Sequence, residues 1–215
     1  AIGEVVNGNW SNFCGGTLID KQWVLTAAHC VAEAQSGPME VAIGVSDLSR
    51  PHLRSKVDQV LMHPEYYVNL LGNLGYGEPP NASDVALLHL ATPVTQAPIA
   101  IADPIIKDTW QQNTTMLHAL GYGGTNPDAT TSSPQLLAVD LAYRGERDYW
   151  YGDPTTTHIF AGNQVGQDSC KGDSGGPLTY GGKLVGVTSY GAIPCATGSA
   201  GGSVYAPAFS DWITE

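Results

Sequence analysis

Hydrophobic residues recur along this chain in short bursts, and glycine, proline, asparagine and aspartate fall between them. Five bursts occupy the first half: "GGTLI" (15–19), "WVLTAA" (23–28), "MEVAIGV" (39–45), "VDQVLMH" (57–63) and "VALLHLA" (85–91). Six follow in the second: "TTMLHALGYG" (114–123), "QLLAVDLAY" (135–143), "THIFAG" (157–162), "GPLTY" (176–180), "KLVGVTSYG" (183–191) and "SVYAPA" (203–208). Short apolar runs with turn residues at regular spacing predict antiparallel strands closed into a barrel or sandwich, or two of them. Only "FSDWITE" (209–215) has the pattern of a helix opening. The Pro- and Ala-rich stretch 92–104 reads as an extended connector between two halves. Residues 65–84, rich in Gly, Asn and Pro without a period, read as a long surface loop.

Composition narrows this picture. The chain has 215 residues, 42% hydrophobic and 13% charged, with 26 glycines and 14 prolines, as short strands and turns require. No apolar run is long enough to span a membrane, and no targeting segment opens the chain. The net charge of −11, with nine basic residues, argues against a nucleic-acid partner, because phosphate binding needs clustered Lys and Arg. The negative field favours cationic substrates and also keeps the chain soluble. Three sequons occur, at Asn9, Asn81 and Asn113, and matter only where the host glycosylates.

The four cysteines are Cys14, Cys30, Cys170 and Cys195. None forms a C-x-x-C pair, which argues against zinc. Three pairings are open; the one local in sequence fits a secreted protein, each bridge contributing about 3 kcal/mol through loop closure.

The candidate chemistry centres on "GQDSCKGDSGGPL" (166–178). A serine hydroxyl attacks a carbonyl only with a base within hydrogen-bond reach, an acid orienting that base, and N–H donors for the oxyanion. Gly172, Gly175 and Gly176 permit a tight turn that aims the N–H groups of Gly172 and Ser174 at one point, which makes Ser174 the candidate nucleophile. Of six histidines, His29 stands out because it follows an apolar strand and sits beside Cys30.

Four blocks, "FCGGTLIDKQWVLTAAHC" (13–30), "NASDVALLHL" (81–90), "DSCKGDSGGPL" (168–178) and "VGVTSYG" (185–191), resemble the signatures of trypsin-like, chymotrypsin-family serine proteases. They occur in that family's order and cover nearly the whole chain. The resemblance implies an all-β fold of two packed six-stranded antiparallel barrels with a short C-terminal helix. Residues 1–96 would carry His29 and Asp84, and residues 97–215 would carry Ser174 and the specificity pocket. It implies His29 as general base, Asp84 as the acid that orients it, Ser174 as nucleophile, and the Gly172 and Ser174 N–H groups as oxyanion hole. It pairs Cys14 with Cys30 and Cys170 with Cys195.

The same resemblance puts Asp168 at the floor of the specificity pocket, where a desolvated carboxylate selects Arg or Lys. Ser169 lies beside it, Ser189, Tyr190 and Gly191 form the edge that pairs with substrate backbone, and Ser203 stands where relatives usually carry glycine. The implied protein is a secreted, monomeric endopeptidase without cofactor or metal, acting on protein substrates after Arg or Lys and open to protein protease inhibitors. Segment 44–60 lacks the paired glutamates of calcium-binding relatives.

The pattern also departs from the family. Asp173 is expected to pair with an activation N-terminus, yet thirteen residues precede Cys14, Ile2–Val6 reads as a first strand, and Asn7-Gly8 reads as its turn. The activation segment is expected to be absent and the C-terminal helix clipped. Asp173 is then expected to turn elsewhere and deform the oxyanion hole, since a buried carboxylate without a cation costs several kcal/mol. Phe160 takes the place of a disulfide cysteine. The alternative is a non-catalytic or latent homologue acting as a binding module; such proteins usually lack a triad residue, and none is missing here.

Overall fold

A computed structural model describes residues 1–32, 37–66, 83–146, 157–162 and 164–215. Thirteen strands are present among them. The first seven are β1 (Ile2–Val6), β2 (Asn9–Cys14), β3 (Thr17–Leu18), β4 (Trp23–Thr26), β5 (Met39–Ala42), β6 (Arg54–Met62) and β7 (Ala86–Leu90). They form one curled antiparallel sheet in the order β2-β1-β5-β6-β7-β4-β3. The other six are β8 (Met116–Gly121), β9 (Leu137–Gly145), β10 (His158–Gly162), β11 (Pro177–Tyr180), β12 (Lys183–Tyr190) and β13 (Ala200–Tyr205). They close into a barrel in the order β10-β13-β12-β11-β8-β9, with β9 pairing back onto β10.

The fold class is as expected, and each of the eleven apolar bursts carries a strand. The main addition is β2, whose sequence "NWSNFC" has no clean alternation. It forms because Asn7 and Gly8 both take positive φ, 51° and 80°, in a two-residue turn that folds β2 back along β1. The final burst shifts: β13 begins at Ala200, and Ala206–Phe209 form a 3-10 turn leading into the C-terminal helix Ser210–Thr214. Most of the 65–84 loop, Asn81 included, lies outside the described residues; Asn9 and Asn113 are exposed.

Two cores result. One fills the barrel, with Leu117, Leu141, Ile159, Leu178, Val185 and Tyr205 around Trp110. The other lies between the sheets, where Ile2, Val24, Leu25, Leu88 and Leu90 meet Leu184, Val187, Val204 and Phe209. Burying a side chain of this size contributes about 1.5–3 kcal/mol, so the shared core holds the sheets in fixed relation.

His63 shows how the C-terminal helix is docked. Its ring meets Phe209 and Trp212 edge-on, with centroids at 5.1 and 5.0 Å, and its Nδ1 accepts the Glu65 N–H at 3.3 Å. Burial holds its pKa below the ordinary histidine value, with the Glu65 carboxylate opposing that shift. The unfolded chain therefore takes up this proton first. The stability contributed by the neutral ring is complete above about pH 6.5 and is lost as pH falls toward the folded-state value. Urea midpoints measured from about pH 7.5 to about pH 5 are expected to fall less steeply for His63→Gln than for the parent. Equal slopes would assign the acid sensitivity to other groups.

Candidate active site

The site lies where the two sheets meet. The first contributes His29, in the short helix Ala28–Ala32 that follows β4. A disulfide from Cys14, the last residue of β2, to Cys30 ties that helix down, with Cα atoms 6.2 Å apart. Asp84 precedes β7, and the Val85 carbonyl beside it accepts the His63 N–H at 3.0 Å. Its neighbour Ser83 donates to Glu65 Oε2 at 3.0 Å.

Asp84 is fully buried, at 0% exposure, and its carboxylate is saturated. Oδ1 accepts the His29 backbone N–H at 2.7 Å. Oδ2 lies 2.7 Å from His29 Nδ1 and accepts the Ser189 hydroxyl at 2.6 Å. With Nδ1–H donating to the carboxylate, a neutral His29 carries its lone pair on Nε2, the arrangement a general base needs. Ser189 reaches Asp84 across 105 positions of sequence, from the second sheet to the first. The motif reading placed Ser189 on the substrate edge and missed this second contact, which no local pattern encodes. Cys14, His29 and Cys30 bring donor atoms within 4.8 Å of one another. Both sulfurs are spent in the disulfide, so the trio offers no thiolate to a metal.

The second sheet contributes the turn ahead of β11. Asp173 N–H donates to Cys170 O and Gly176 N–H to Asp173 O, both at 2.9 Å, which curls the chain around Ser174. The Ser174 carbonyl accepts the Gly15 N–H at 2.7 Å, and Gly175 N–H donates to Thr188 O at 2.7 Å. The serine loop is thus stitched to both sheets. Gly172 and Gly175 hold φ of 99° and 77°, a region that favours glycine. A Cβ on Gly175 would also collide with Thr26 Oγ1 and lie 2.6 Å from Gly15 O. The N–H groups of Gly172 and Ser174 donate to no backbone carbonyl among the described residues.

A cleft of about 200 Å³ opens beside Ser174, with Ser169, Lys171, Ser189, Tyr190, Gly191 and Ile193 in its lining. Five of the expected site residues, Ser169, Ser174, Ser189, Tyr190 and Gly191, therefore share one cavity. Ser203 does not line it; it is buried in β13 between Ile159 of β10 and Thr188 of β12. Asp168 and Asp173 line a neighbouring cavity of about 300 Å³, and the half-cystines Cys170 and Cys195 line both. These two are bonded, Cα to Cα 5.6 Å, so the bridge is the shared wall.

Asp168 Oδ2 accepts the Ala196 N–H at 3.1 Å. Burial raises its pKa, the Ala196 and Ser169 N–H groups oppose that, and the Asp173 charge adds to it. No described cation pairs with it. Its Oδ1 and the Ser169 hydroxyl both lie near Gly201, where an added Cβ would be 3.8 Å from each. Asp173 faces inward, accepting Gly123 N–H at 2.8 Å and Cys170 N–H at 2.9 Å. Burial raises its pKa and these two donors lower it.

A buried carboxylate orienting a histidine, with a glycine-framed serine stitched alongside, is a constellation suited to acyl transfer. Comparison with known proteins agrees. A family model described as Trypsin matches residues 2–213. The chain is 34% identical over 214 residues to Trypsin 5G1 of Aedes aegypti, covering 95% of this chain and 75% of that protein. It is 34% identical over 215 residues to tonin of Rattus norvegicus, covering 94% and 80%. It is 32% identical over 207 residues to brachyurin of Leptuca pugilator, covering 94% and 86%. The chain belongs to the trypsin family of serine proteases.

Proposed function

We propose that this protein is a secreted endopeptidase that cleaves after Arg or Lys through Ser174, His29 and Asp84. The observation that carries the catalytic part is the saturated Asp84 carboxylate, which fixes His29 by both its ring and its backbone. Ser174 Oγ attacks the substrate carbonyl as His29 Nε2 takes its proton, and the Gly172 and Ser174 N–H groups receive the oxyanion. His29 then protonates the leaving amine, and water, deprotonated by the same nitrogen, releases the acid. Residues 1–96 supply base and orienting acid; residues 97–215 supply nucleophile and specificity pocket. The two disulfides support an extracellular setting.

Arg/Lys selectivity rests on Asp168. A half-buried carboxylate without a cation partner among the described residues rewards a cationic side chain, and Asp168 lies directly behind the Cys170–Cys195 wall of the cleft that its neighbour Ser169 lines. Ser203, packed inside β13, bears on the balance between Arg and Lys only through the position of that strand. Turnover of Arg and Lys esters, with phosphonate labelling of Ser174, tests the reading; no turnover and no label sinks it in favour of a non-catalytic homologue. Asp168→Ser is expected to lower kcat/KM on Arg and Lys substrates about 10³-fold, equivalent to ~4 kcal/mol for a stranded buried cation, while Leu substrates lose nothing. A uniform loss on all substrates would remove Asp168 from the specificity role.

A further inference from the structure

Gly202 is a glycine whose own backbone does not ask for one. It is buried in β13, between Phe160 of β10 on one side and Tyr190 of β12 on the other. Its φ lies outside the left-handed region that Gly172 and Gly175 occupy. A glycine inside a strand weakens it and often marks a place where another group approaches closely. At Gly202 that group is the Tyr190 ring. A Cβ on Gly202 would lie 2.5 Å from Tyr190 Cζ, 2.7 Å from Cε1 and 2.9 Å from Cε2. Such similar distances to the two Cε atoms put the face of the ring, rather than its rim, over the glycine.

A β-bulge brings the ring there. Thr188 stands opposite Ser203 and Tyr190 opposite Gly202, so Ser189 is the extra residue of β12. The Ser189 hydroxyl goes to Asp84, and Tyr190 is left directly across from the glycine. A ring laid over a cross-strand glycine covers backbone that the glycine leaves bare. The ring also meets β10 beyond. Phe160 faces it edge-on with centroids 6.2 Å apart, and the His158 centroid is 6.0 Å away. Both of these residues are buried. Tyr190 itself is half-buried and lines the cleft beside Ser174, Ser189 and Gly191.

We infer that Gly202 is a positioning residue for extended substrates: lacking a side chain, it lets the Tyr190 ring lie down across β13 and keeps the peptide-binding edge clear. The inference rests on the reading of Ser189, Tyr190 and Gly191 as the edge that pairs with substrate backbone. A methyl at position 202 would force the ring up by about 1 Å, to reach an ordinary carbon–carbon separation of about 3.5–4.0 Å. Phe160 and His158 stop the ring from sliding onward over β10, so it must lift toward the cleft. There it meets the residues that precede the cleaved arginine or lysine. A substrate with nothing ahead of that residue never reaches the ring. The missing side chain thus favours polypeptides over single-residue derivatives.

The test uses the full chain and two arginine esters. One is a blocked arginine alone; the other carries the same arginine at the end of a short peptide. Gly202→Ala is expected to lower kcat/KM on the peptide ester about tenfold, through KM, and to change the single-residue ester by less than about twofold. On a Tyr190→Ala background the same substitution is expected to have no further effect, because the ring it collides with is gone. Urea midpoints follow the packing without substrate: Gly202→Ala should destabilise the parent but not the Tyr190→Ala chain. If Gly202→Ala alone does not fold, the double variant must; a double variant that also fails would overturn the inference. Equal losses on both esters, no loss on either, or a loss that persists without the ring would overturn it too. A parent that turns over both esters equally has no upstream edge, and then the edge reading falls and takes the inference with it. Where the parent prefers the peptide, that reading stands and the variants alone decide the role of Gly202.

Discussion

Replacing Ser174 by Ala is expected to lower kcat on Arg and Lys esters by about 10⁶-fold, the largest single loss available in this molecule. The reason is that, in the proposed mechanism, the three groups act as a unit. Without Oγ there is no acyl-enzyme, and the Nε2 lone pair of His29 has no serine proton to take. What survives comes from substrate binding and the backbone donors of the serine loop. The fold should be untouched, because the hydroxyl is not what fixes this turn: the Ser174 carbonyl on Gly15 N–H and the Gly175 N–H on Thr188 O remain. Steady-state kinetics together with an unchanged urea midpoint checks both halves. Retained turnover would mean that another group, or a contaminant, does the chemistry.

Asp84→Asn is expected to lower kcat about 10⁴-fold with little change in KM. The amide is nearly isosteric, so the packing survives while the hydrogen-bond pattern does not. At present Oδ1 and Oδ2 accept from the His29 backbone N–H, His29 Nδ1 and the Ser189 hydroxyl, three donors onto one carboxylate. An Asn oxygen can serve one side of that set, and its NH₂ must face a donor on the other. If NH₂ faces Nδ1, the imidazole is driven to the tautomer with its hydrogen on Nε2, where it cannot accept the serine proton. The loss should shrink at alkaline pH, where hydroxide substitutes for the missing base. A variant with normal kcat at neutral pH would show that Asp84 merely packs.

Much of this arrangement is legible in the sequence. The glycine-framed "GDSGGP" and the "AAHC" beside a strand single out Ser174 and His29 as candidates by their local frames, and the resemblance of the "SDVALL" block adds Asp84. The strands follow from apolar bursts between turn residues. Other features escape for identifiable reasons. Strand β2 hides because its polar residues fall on both faces and only Phe13 and Cys14 at its end reach the core; its pairing comes from the Asn7-Gly8 turn. The hydroxyl of Ser189 on Asp84 and the Gly15 N–H on Ser174 O join residues 105 and 159 positions apart, and short windows carry no trace of such contacts. The separation of Asp168 from the cleft lining by the Cys170–Cys195 wall is likewise a matter of packing, as is the retreat of Ser203 into the body of β13.

The core between the sheets has a consequence for how the enzyme fails. Leu184, Val187, Val204 and Phe209 bury their apolar surface against Ile2, Val24, Leu25 and Leu88, so opening one half would strip cover from the other. On the proposed assignment neither half holds a complete site: base and orienting acid are on one side, nucleophile on the other. Heating or denaturant should therefore find no intermediate in which one sheet is lost and hydrolysis continues. Inactivation and unfolding become a single cooperative event, and a partly unfolded copy is more readily substrate than enzyme.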